Sequence, residues 1–298
     1  MNALSPQALK SPQAVSLRDW TVIASVNNET LVKNCLLNSP DIRFASEVIL
    51  QRDYASAAVA YNDAIEKAKT DLLVFVHQDV YLPEGWFSTV QNALEILSKS
   101  DPDWGVLGVW GIRPSGEAAG FVYDGYGRCV LGNHFEGGLD VESLDELLLI
   151  MRKSSGLRFD EQLLGFHMYG TDICLEAKQR GLKCYAIAAF CVHNTSQYWM
   201  LPLGFWRAYL TIRRKWKSHL PIKTACTKIT RWCWPMIRWN VVRAINLITG
   251  RDKPPIKRVK DPVELYRMIV NSGKTISSMP FGLNMPSEQK RPKSESVG

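Results

Sequence analysis

Two histidines and an aspartate lie at the ends of apolar runs, at positions where metal binding or proton transfer becomes possible. His77 and Asp79 interrupt the run VFVHQDVYL, and His193 follows the run LKCYAIAAFCV. Residues two apart on an extended segment point to the same side, so His77 and Asp79 are expected to face one ligand. Two imidazoles and a carboxylate suit Mn²⁺ better than Mg²⁺, which prefers oxygen ligands. His77, Asp79 and His193 are therefore candidate ligands of a divalent metal ion.

Each of these three residues also has a purely structural interpretation. Asp79 would cap the helix that follows it, and His77 would be a hydrogen-bonded interior histidine. His193 would simply mark the end of a strand. Spacing alone does not choose between metal binding and these structural roles, so both hypotheses stay open at this point.

Three acidic residues form a second candidate group. Asp172 opens the segment TDICLEAKQRG, which is predicted to be a helix. It is a candidate general base, or else a capping or first-turn acid stabilised by the positive end of that helix. Asp160 and Glu161 lie in a predicted loop, where they form a paired-carboxylate site or are simply solvated. Sequence spacing does not establish such a site.

Alternating strands and helices are expected to position these residues. In the first hundred residues, three apolar strand-like runs alternate with three amphipathic helix-like runs. The strands are WTVIASVNN, SEVILQRD and DLLVFVHQDV, and the helices are ETLVKNCLLNS, SAAVAYNDAIEKAK and PEGWFSTVQNALEILSKS. Such alternation indicates βαβ units and a parallel sheet covered by helices on both faces. The predicted fold class is therefore α/β.

Further strands follow Asp101, and the candidate residues lie at strand ends. WGVLGVWGI, LDELLLIMRK and LKCYAIAAFCV are predicted strands, and AAGFVYDGYGRCVLG is a predicted strand pair around a turn. In open α/β sheets, ligands bind beyond the carboxyl ends of the strands. The polar residues found at such ends are Asn27, Asn28, Asp53, His77, Asp79 and His193. We therefore expect one site along this edge of the sheet.

The order of these segments resembles the glycosyltransferases of family 2, in particular their bacterial glycosyltransferase-like branch. The resemblance spans residues 20–196 and rests on VIASVNN, AVAYNDAIEKAKTDLLVFVHQDV, FDEQLLGFHMYGTDICLEAKQRG and CVHNTS, in the family's order. It implies the GT-A fold, a Rossmann-like, mostly parallel sheet flanked by helices. It also implies inverting, metal-dependent transfer of a sugar from a nucleotide-sugar donor to a glycan, lipid-linked or small-molecule acceptor.

The resemblance also implies roles for individual residues. Donor binding falls to Asn27, Asp53, Asn62, Gln78 and Asp79, metal binding to His77, Asp79 and His193, the base to Asp172, and the acceptor pocket to Asp160 and Glu161. The implied metal is Mn²⁺, with Mg²⁺ as the alternative. Two departures stand out: His77 replaces the first acid of the DxD motif, and Tyr169 with Gly170 replaces the acidic pair before Asp172.

The C-terminal third is strongly basic, although the net charge of the whole chain is only +7. From Arg207 to Lys260 there are fifteen Lys and Arg and one acid, together with four of the ten Trp. We predict a disordered tail at 1–18, a GT-A domain at 19–200, a basic, Trp-rich helical appendage at 201–285 and a second tail at 286–298. The appendage is expected either to lie on an anionic membrane or to pack its Trp against the body. Nucleic acid is a less favoured partner, because no recognised motif supports it.

Cysteine usage and the length of the apolar runs indicate the cellular setting. Seven single Cys without a CxxC pair indicate a reducing compartment, and no apolar run reaches the roughly 18 to 20 residues of a membrane span. The prediction is a cytoplasmic protein, peripheral at the inner face of the cell membrane.

Two rival functions stay open beside the glycosyltransferase. One rival is a nucleotidyltransferase, which would normally carry a Gly-rich basic loop that VNNETLV lacks. The other is a non-catalytic GT-A-like protein that docks on membranes or partners.

Overall fold

The structure, a computed structural model, describes residues 19–196, 201–251 and 257–271. The predicted tails at 1–18 and 286–298 lie outside the described residues, and so do residues 272–285 of the predicted appendage. None of the helices in the described ranges is long and apolar enough to cross a bilayer.

The described residues form fifteen strands and seven α-helices. The strands are β1 Trp20–Val26, β2 Glu47–Arg52, β3 Leu72–Val76, β4 Val80–Tyr81, β5 Val106–Gly108, β6 Trp110–Ile112, β7 Ala118–Asp124, β8 Cys129–Gly132, β9 Leu139–Asp140, β10 Ser143–Leu144, β11 Leu148–Arg152, β12 Cys184–Ala186, β13 Cys191–His193, β14 Ile222–Lys223 and β15 Lys228–Ile229. The helices are α1 Glu29–Asn34, α2 Ala57–Lys67, α3 Trp86–Ser100, α4 Tyr169–Gln179, α5 Leu203–Lys215, α6 Trp234–Ile248 and α7 Pro262–Asn271.

A seven-stranded sheet forms the centre of the molecule, in the order β2-β1-β3-β11-β5-β12-β9. Strand β1 pairs in parallel with β2 and β3, and β12 pairs in parallel with β5, whereas β11 and β9 run antiparallel to their neighbours. Five of the seven strands therefore point the same way. The predicted α/β class with a mostly parallel sheet is confirmed.

Helices cover both faces of this sheet because its strands are apolar on both sides. Along β3, Leu73 and Phe75 enter one hydrophobic core, while Leu72, Val74 and Val76 enter the other. The first core is closed by α2 and α4 and the second by α1 and α3. Successive side chains on a strand alternate between faces, so one uninterrupted apolar run supplies both cores.

A second sheet, in the order β10-β6-β7-β13-β4 with β8 beside β7, lies at the carboxyl edge of the first. Three segments that the sequence predicts as single strands cross from the first sheet to the second. They divide into β3 and β4, β5 and β6, and β12 and β13. Both halves of each segment are apolar and largely buried, with only Trp110, Ile112 and His193 half-buried, so apolar content gives no sign of the break. The first of these crossings is the segment His77–Asp79.

The basic C-terminal part shares a core with the rest of the molecule. Phe205, Tyr209, Ile212 and Trp216 of the α5 region and Met236 of α6 are buried in the same cluster as residues of α2 and α4. Between α5 and α6 the chain also forms a short hairpin, β14 with β15, which a purely helical appendage would not contain. Part of the predicted appendage is thus a wall of the body. Its division from the body at residue 200 stays a prediction.

Candidate active site

His77, Asp79 and His193 converge where the two sheets meet. One ligand atom from each of the three lies within 4.8 Å of the others. The sequence predicted that His77 and Asp79 lie on an extended segment, and this prediction is wrong. They lie in a turn closed by a hydrogen bond from the Val80 amide to the His77 carbonyl (3.1 Å). His193 joins them because β13 pairs with β4, which sets His193 opposite Val80. The turn and this strand pairing together build the predicted cluster.

The hydrogen bonds of His77 leave one ring nitrogen available to a cation. The Tyr169 hydroxyl donates to the carbonyl of Glu146 (3.1 Å) and lies 2.8 Å from Nε2 of His77. A hydroxyl has a single proton to donate, so this network assigns the His77 proton to Nε2 and leaves the lone pair on Nδ1 free. Burial lowers the pKa of His77 to about 4, so the ring is neutral at pH 7. A neutral imidazole is the form that binds metal ions.

The two departures from the family pattern are therefore in contact. Tyr169 reaches His77 because α4 begins close against the backbone of residues 144–146. A Cβ on Gly170 would lie 2.7 Å from the Leu144 carbonyl oxygen and 3.1 Å from the Glu146 nitrogen, which only glycine avoids. The His77 and Tyr169 replacements thus form one hydrogen-bonded unit, which Gly170 makes possible.

Asp79 is a buried carboxylate that contacts an imidazole and a guanidinium. Its Oδ1 lies 3.5 Å from Nε2 of His193, and its Oδ2 lies 3.0 Å from Nη2 of Arg258. Burial alone would raise the pKa of Asp79, but His193, His77 and Arg258 hold it well below the ordinary value. Burial likewise opposes protonation of His193, yet Asp79 raises the pKa of that ring above the ordinary value. A carboxylate with two imidazoles fits Mn²⁺, which would compete with protons for the His193 ring.

The cluster opens into a cavity of about 1040 Å³ at the carboxyl edge of the first sheet. The cavity lining includes the predicted donor residues Asn27, Asp53 and Gln78. Gln78 joins the ends of β1 and β3, since its Nε2 donates to Oδ1 of Asn27 (2.6 Å) and its Oε1 accepts from the amides of Asn27 (3.2 Å) and Asn28 (3.0 Å). The amide side chains thus form a polar floor beside the metal cluster.

Three other predicted residues lie outside the cavity lining. Asn62 donates to the carbonyl of Phe159 (2.9 Å) and to the side chain of Glu161 (3.0 Å). Asn62 and Glu161 border a separate cavity of about 380 Å³. Asp160 accepts a bond from Lys215 (2.8 Å). The structure therefore does not bring Asn62 to the metal cluster, nor Asp160 and Glu161 to the walls of the large cavity.

Asp172 also lies outside this lining, in the first turn of α4. Its side chain is buried, with Oδ2 2.9 Å from Nζ of Lys215 and Oδ1 accepting from Nε1 of Trp216 (2.7 Å). Lys215 also contacts Asp160 and Glu176, each at 2.8 Å. Burial raises the pKa of Asp172, and Trp216 and Lys215 oppose this shift. These contacts tie α5 to α4, and the assignment of Asp172 as the base stays a prediction.

Two acidic residues that sequence reasoning missed do line the cavity, Asp145 and Glu146. They precede β11, whereas the residues predicted for this edge of the sheet all follow strands. Because β11 runs antiparallel to β3, with Leu148 opposite Val76, its beginning lies at the same edge as the end of β3. Burial, followed by the charge of Asp145, raises the pKa of Glu146 to about 8. Only the direction of β11 would have revealed them.

Removing the Tyr169 hydroxyl is expected to weaken Mn²⁺ binding by about 10- to 100-fold, the usual effect of losing a partner that orients a ligand. In Tyr169→Phe, His77 is no longer held in one tautomer and orientation. Calorimetric titration of Mn²⁺ measures the Kd. Tyr54→Phe is the matched control, because Tyr54 also lines the cavity but bonds Asp63. Equal affinities in Tyr169→Phe and the parent would remove Tyr169 from this role.

Arg258→Gln should instead strengthen Mn²⁺ binding severalfold when no nucleotide is present. The guanidinium competes with the ion for the charge of Asp79, so its removal frees that carboxylate. Electron paramagnetic resonance of free Mn²⁺ gives the affinity directly. Lys257→Gln removes the same charge one residue away and should change little. Weaker binding in Arg258→Gln would show that the guanidinium supports the ion and does not compete with it.

Comparisons with known proteins identify the family of this chain. A family model described as "Glycosyltransferase like family" matches residues 21–201. The curated protein "ATP synthase subunits region ORF 6" of Fuscovulum blasticum is 34% identical over 136 residues, covering 43% of this chain and 53% of that protein. The chain thus spans about half the length of this relative.

Three solved structures are similar over part of the chain. GalNAc-T7 with UDP, GalNAc and Mn²⁺ has 10% identity and a TM-score of 0.43, covering 59% of this chain and 43% of that one. The mannosyltransferase PcManGT of Pyrobaculum calidifontis with GDP-Man and Mn²⁺ has 13% identity and a TM-score of 0.39, covering 62% and 61%. TarS of S. aureus has 13% identity and a TM-score of 0.42, covering 66% and 39%. At such scores the family match alone carries the assignment, and since it covers well over half of the chain, the protein belongs to the glycosyltransferase-like family.

Proposed function

We propose that this protein transfers a sugar from a nucleotide-sugar donor to an acceptor hydroxyl, using a divalent metal ion, preferably Mn²⁺. One observation carries the proposal: His77, Asp79 and His193 cluster within 4.8 Å in the cavity that Asn27, Asp53 and Gln78 also line. A donor of this kind has a base and a ribose at one end and a diphosphate near the transferred sugar. The amide floor and the metal cluster match these two ends.

Different residues of the chain would contact different parts of the donor in such a transfer. The ion, when bound, neutralises the charge that develops on the leaving diphosphate. Asn27 and Gln78 hold each other and so present fixed donors and acceptors to the nucleotide. Arg258 lies beside Asp79 with about a third of its side chain exposed, so it can turn its guanidinium to a phosphate oxygen.

The proposed general base is Glu146. Inversion requires a carboxylate that takes the acceptor proton as the new bond forms, on the side of the sugar away from the leaving group. Glu146 lines the cavity and has a pKa of about 8, close to the pH at which a base is most effective. Asp172 is already bonded to Lys215 and Trp216, which favours a structural role for it. It remains the alternative base.

The proposed donor binding is tested with Asp79→Asn. Removing this charge should abolish Mn²⁺-dependent binding of UDP- and GDP-sugars while the protein stays folded, as calorimetry and circular dichroism would report. Asp124→Asn is the control, since Asp124 lines the same cavity without belonging to the metal cluster. Failure of the parent protein to bind any nucleotide sugar would defeat the proposal. Donor binding without hydrolysis or transfer would support the non-catalytic rival, and pyrophosphate release from a nucleoside triphosphate would support the nucleotidyltransferase.

The base is tested by comparing Glu146→Gln with Asp172→Asn. We expect Glu146→Gln to lower the transfer or donor-hydrolysis rate by about 10² to 10⁴, the usual contribution of a positioned base. A base acts when deprotonated, so the parent rate should rise with pH and level off above about 8, and Glu146→Gln should lose this rise. Asp172→Asn should lower the Tm and leave the rate within a few-fold. The reverse pattern would return the role to Asp172.

A further inference from the structure

Helix α6 has two apolar faces, and only one of them contacts the body. Met236 is buried, and Pro235, Met236 and Trp239 line the large cavity. The other face carries an exposed stripe of large apolar side chains at intervals of three and four residues. We define the α6 stripe as Trp234, Ile237, Val241, Ile245 and Ile248. At 100° per residue these positions fall within one narrow sector of the helix.

The α6 stripe is too exposed to be ordinary surface. Ile248 is 86% exposed and Trp234 64%, and Trp232, just before the helix, is 78% exposed. Isolated exposed apolar residues are common in proteins, but a contiguous row marks a contact surface. Val242 widens the stripe on one side. Within the described part of the chain, no residue covers it.

The charge around the α6 stripe specifies its partner. Arg231, Arg238 and Arg251 are exposed at or near the helix, and residues 201–251 contain no Asp or Glu. An apolar row with basic residues beside it and tryptophan at one end matches a membrane interface, where apolar side chains enter the acyl boundary and Arg contacts anionic head groups. Aliphatic side chains do not stack on bases, which disfavours nucleic acid. A second copy would bring the same positive charges together.

We propose that the α6 stripe docks on an anionic lipid bilayer and that the acceptor is an amphiphile held in that bilayer. The second half of this statement rests on the proposed function. The cavity is apolar beside α6, where Leu201, Pro202 and Phe205 join the inner face of the helix. A helix is about 10 Å across, so the bilayer would lie one helix width from this apolar wall. The hydrocarbon chain of a lipid-linked acceptor therefore has a short apolar path to the cavity.

Docking is tested with the full-length protein and vesicles of phosphatidylcholine, with or without phosphatidylglycerol. We expect binding only to the anionic vesicles, weakened by salt because the Arg contribution is screened. The double variant Val241→Asp with Ile245→Asp should bind at least about tenfold more weakly, since it places charge in the buried face of the helix. Both residues are exposed, so the fold should tolerate the change. Phe44→Asp with Leu164→Asp is the matched control, because these residues are at least as exposed as Val241 and Ile245 and lie outside α6.

Quenching of tryptophan fluorescence measures how deeply the α6 stripe enters the bilayer. Lipids brominated in their acyl chains should quench the parent fluorescence, and Trp232→Phe with Trp234→Phe should lose most of that quenching. Binding that survives the double aspartate variant, or that leaves the fluorescence unquenched, would overturn docking through the α6 stripe. So would a stable dimer that the aspartates dissociate, since a second copy would then cover the stripe.

The acceptor is tested with octyl and methyl glycosides of one sugar. The octyl glycoside should bind the protein more tightly than the methyl glycoside. Equal affinities for the two glycosides would overturn the proposal that the acceptor is an amphiphile. Mn²⁺-dependent binding of nucleotide sugars should be the same in the double aspartate variant and the parent, because Val241 and Ile245 do not line the cavity. Failure of the parent protein to bind anionic vesicles thus overturns docking, while absence of donor binding in the parent overturns only the proposed function.

Discussion

The buried carboxylate of Asp79 is the constraint on which the site depends, because an ionised carboxylate inside a protein requires cationic or hydrogen-bonding partners. His193 reaches it through the pairing of β13 with β4. Arg258 reaches it because Asn194 and Val259 exchange two hydrogen bonds, at 2.8 and 2.9 Å. Three distant parts of the chain therefore meet at one charge. A divalent ion that bound at this point would therefore compete with Arg258 for the charge of Asp79.

His77 and Tyr169 form a neutral hydrogen-bonded pair inside the site. The resemblance described above implies acids near these two positions, where this chain has one neutral hydrogen-bonded pair instead. His77 still offers a neutral ring nitrogen to the cluster, because the hydroxyl of Tyr169 fixes its tautomer. Less negative charge should make the cluster bind cations more weakly than an all-carboxylate site. Nitrogen ligands shift its preference away from Mg²⁺ at the same time.

The basic C-terminal part joins the body at one surface and leaves another free. Lys215 holds three carboxylates and Trp216 bonds Asp172, so the end of α5 is firmly attached to α4. Helix α6 then closes the cavity with one face and exposes the α6 stripe with the other. Packing against the body and docking on a membrane are therefore compatible. They use opposite sides of one helix.

The sequence by itself determined the strands of the first sheet other than the short β9, most of the helices and the proximity of His77 to Asp79, because periodicity and polar interruptions are local properties. The tertiary structure decided which edge each strand end faces. It placed Glu146 in the cavity through the antiparallel direction of β11, and it drew Asp172 into the contacts of Lys215 and Trp216. It also divided LKCYAIAAFCV between two sheets, which carried His193 to Asp79. Strand direction and sheet exchange depend on partners far away in the chain, and a pattern read along one segment contains no information about them.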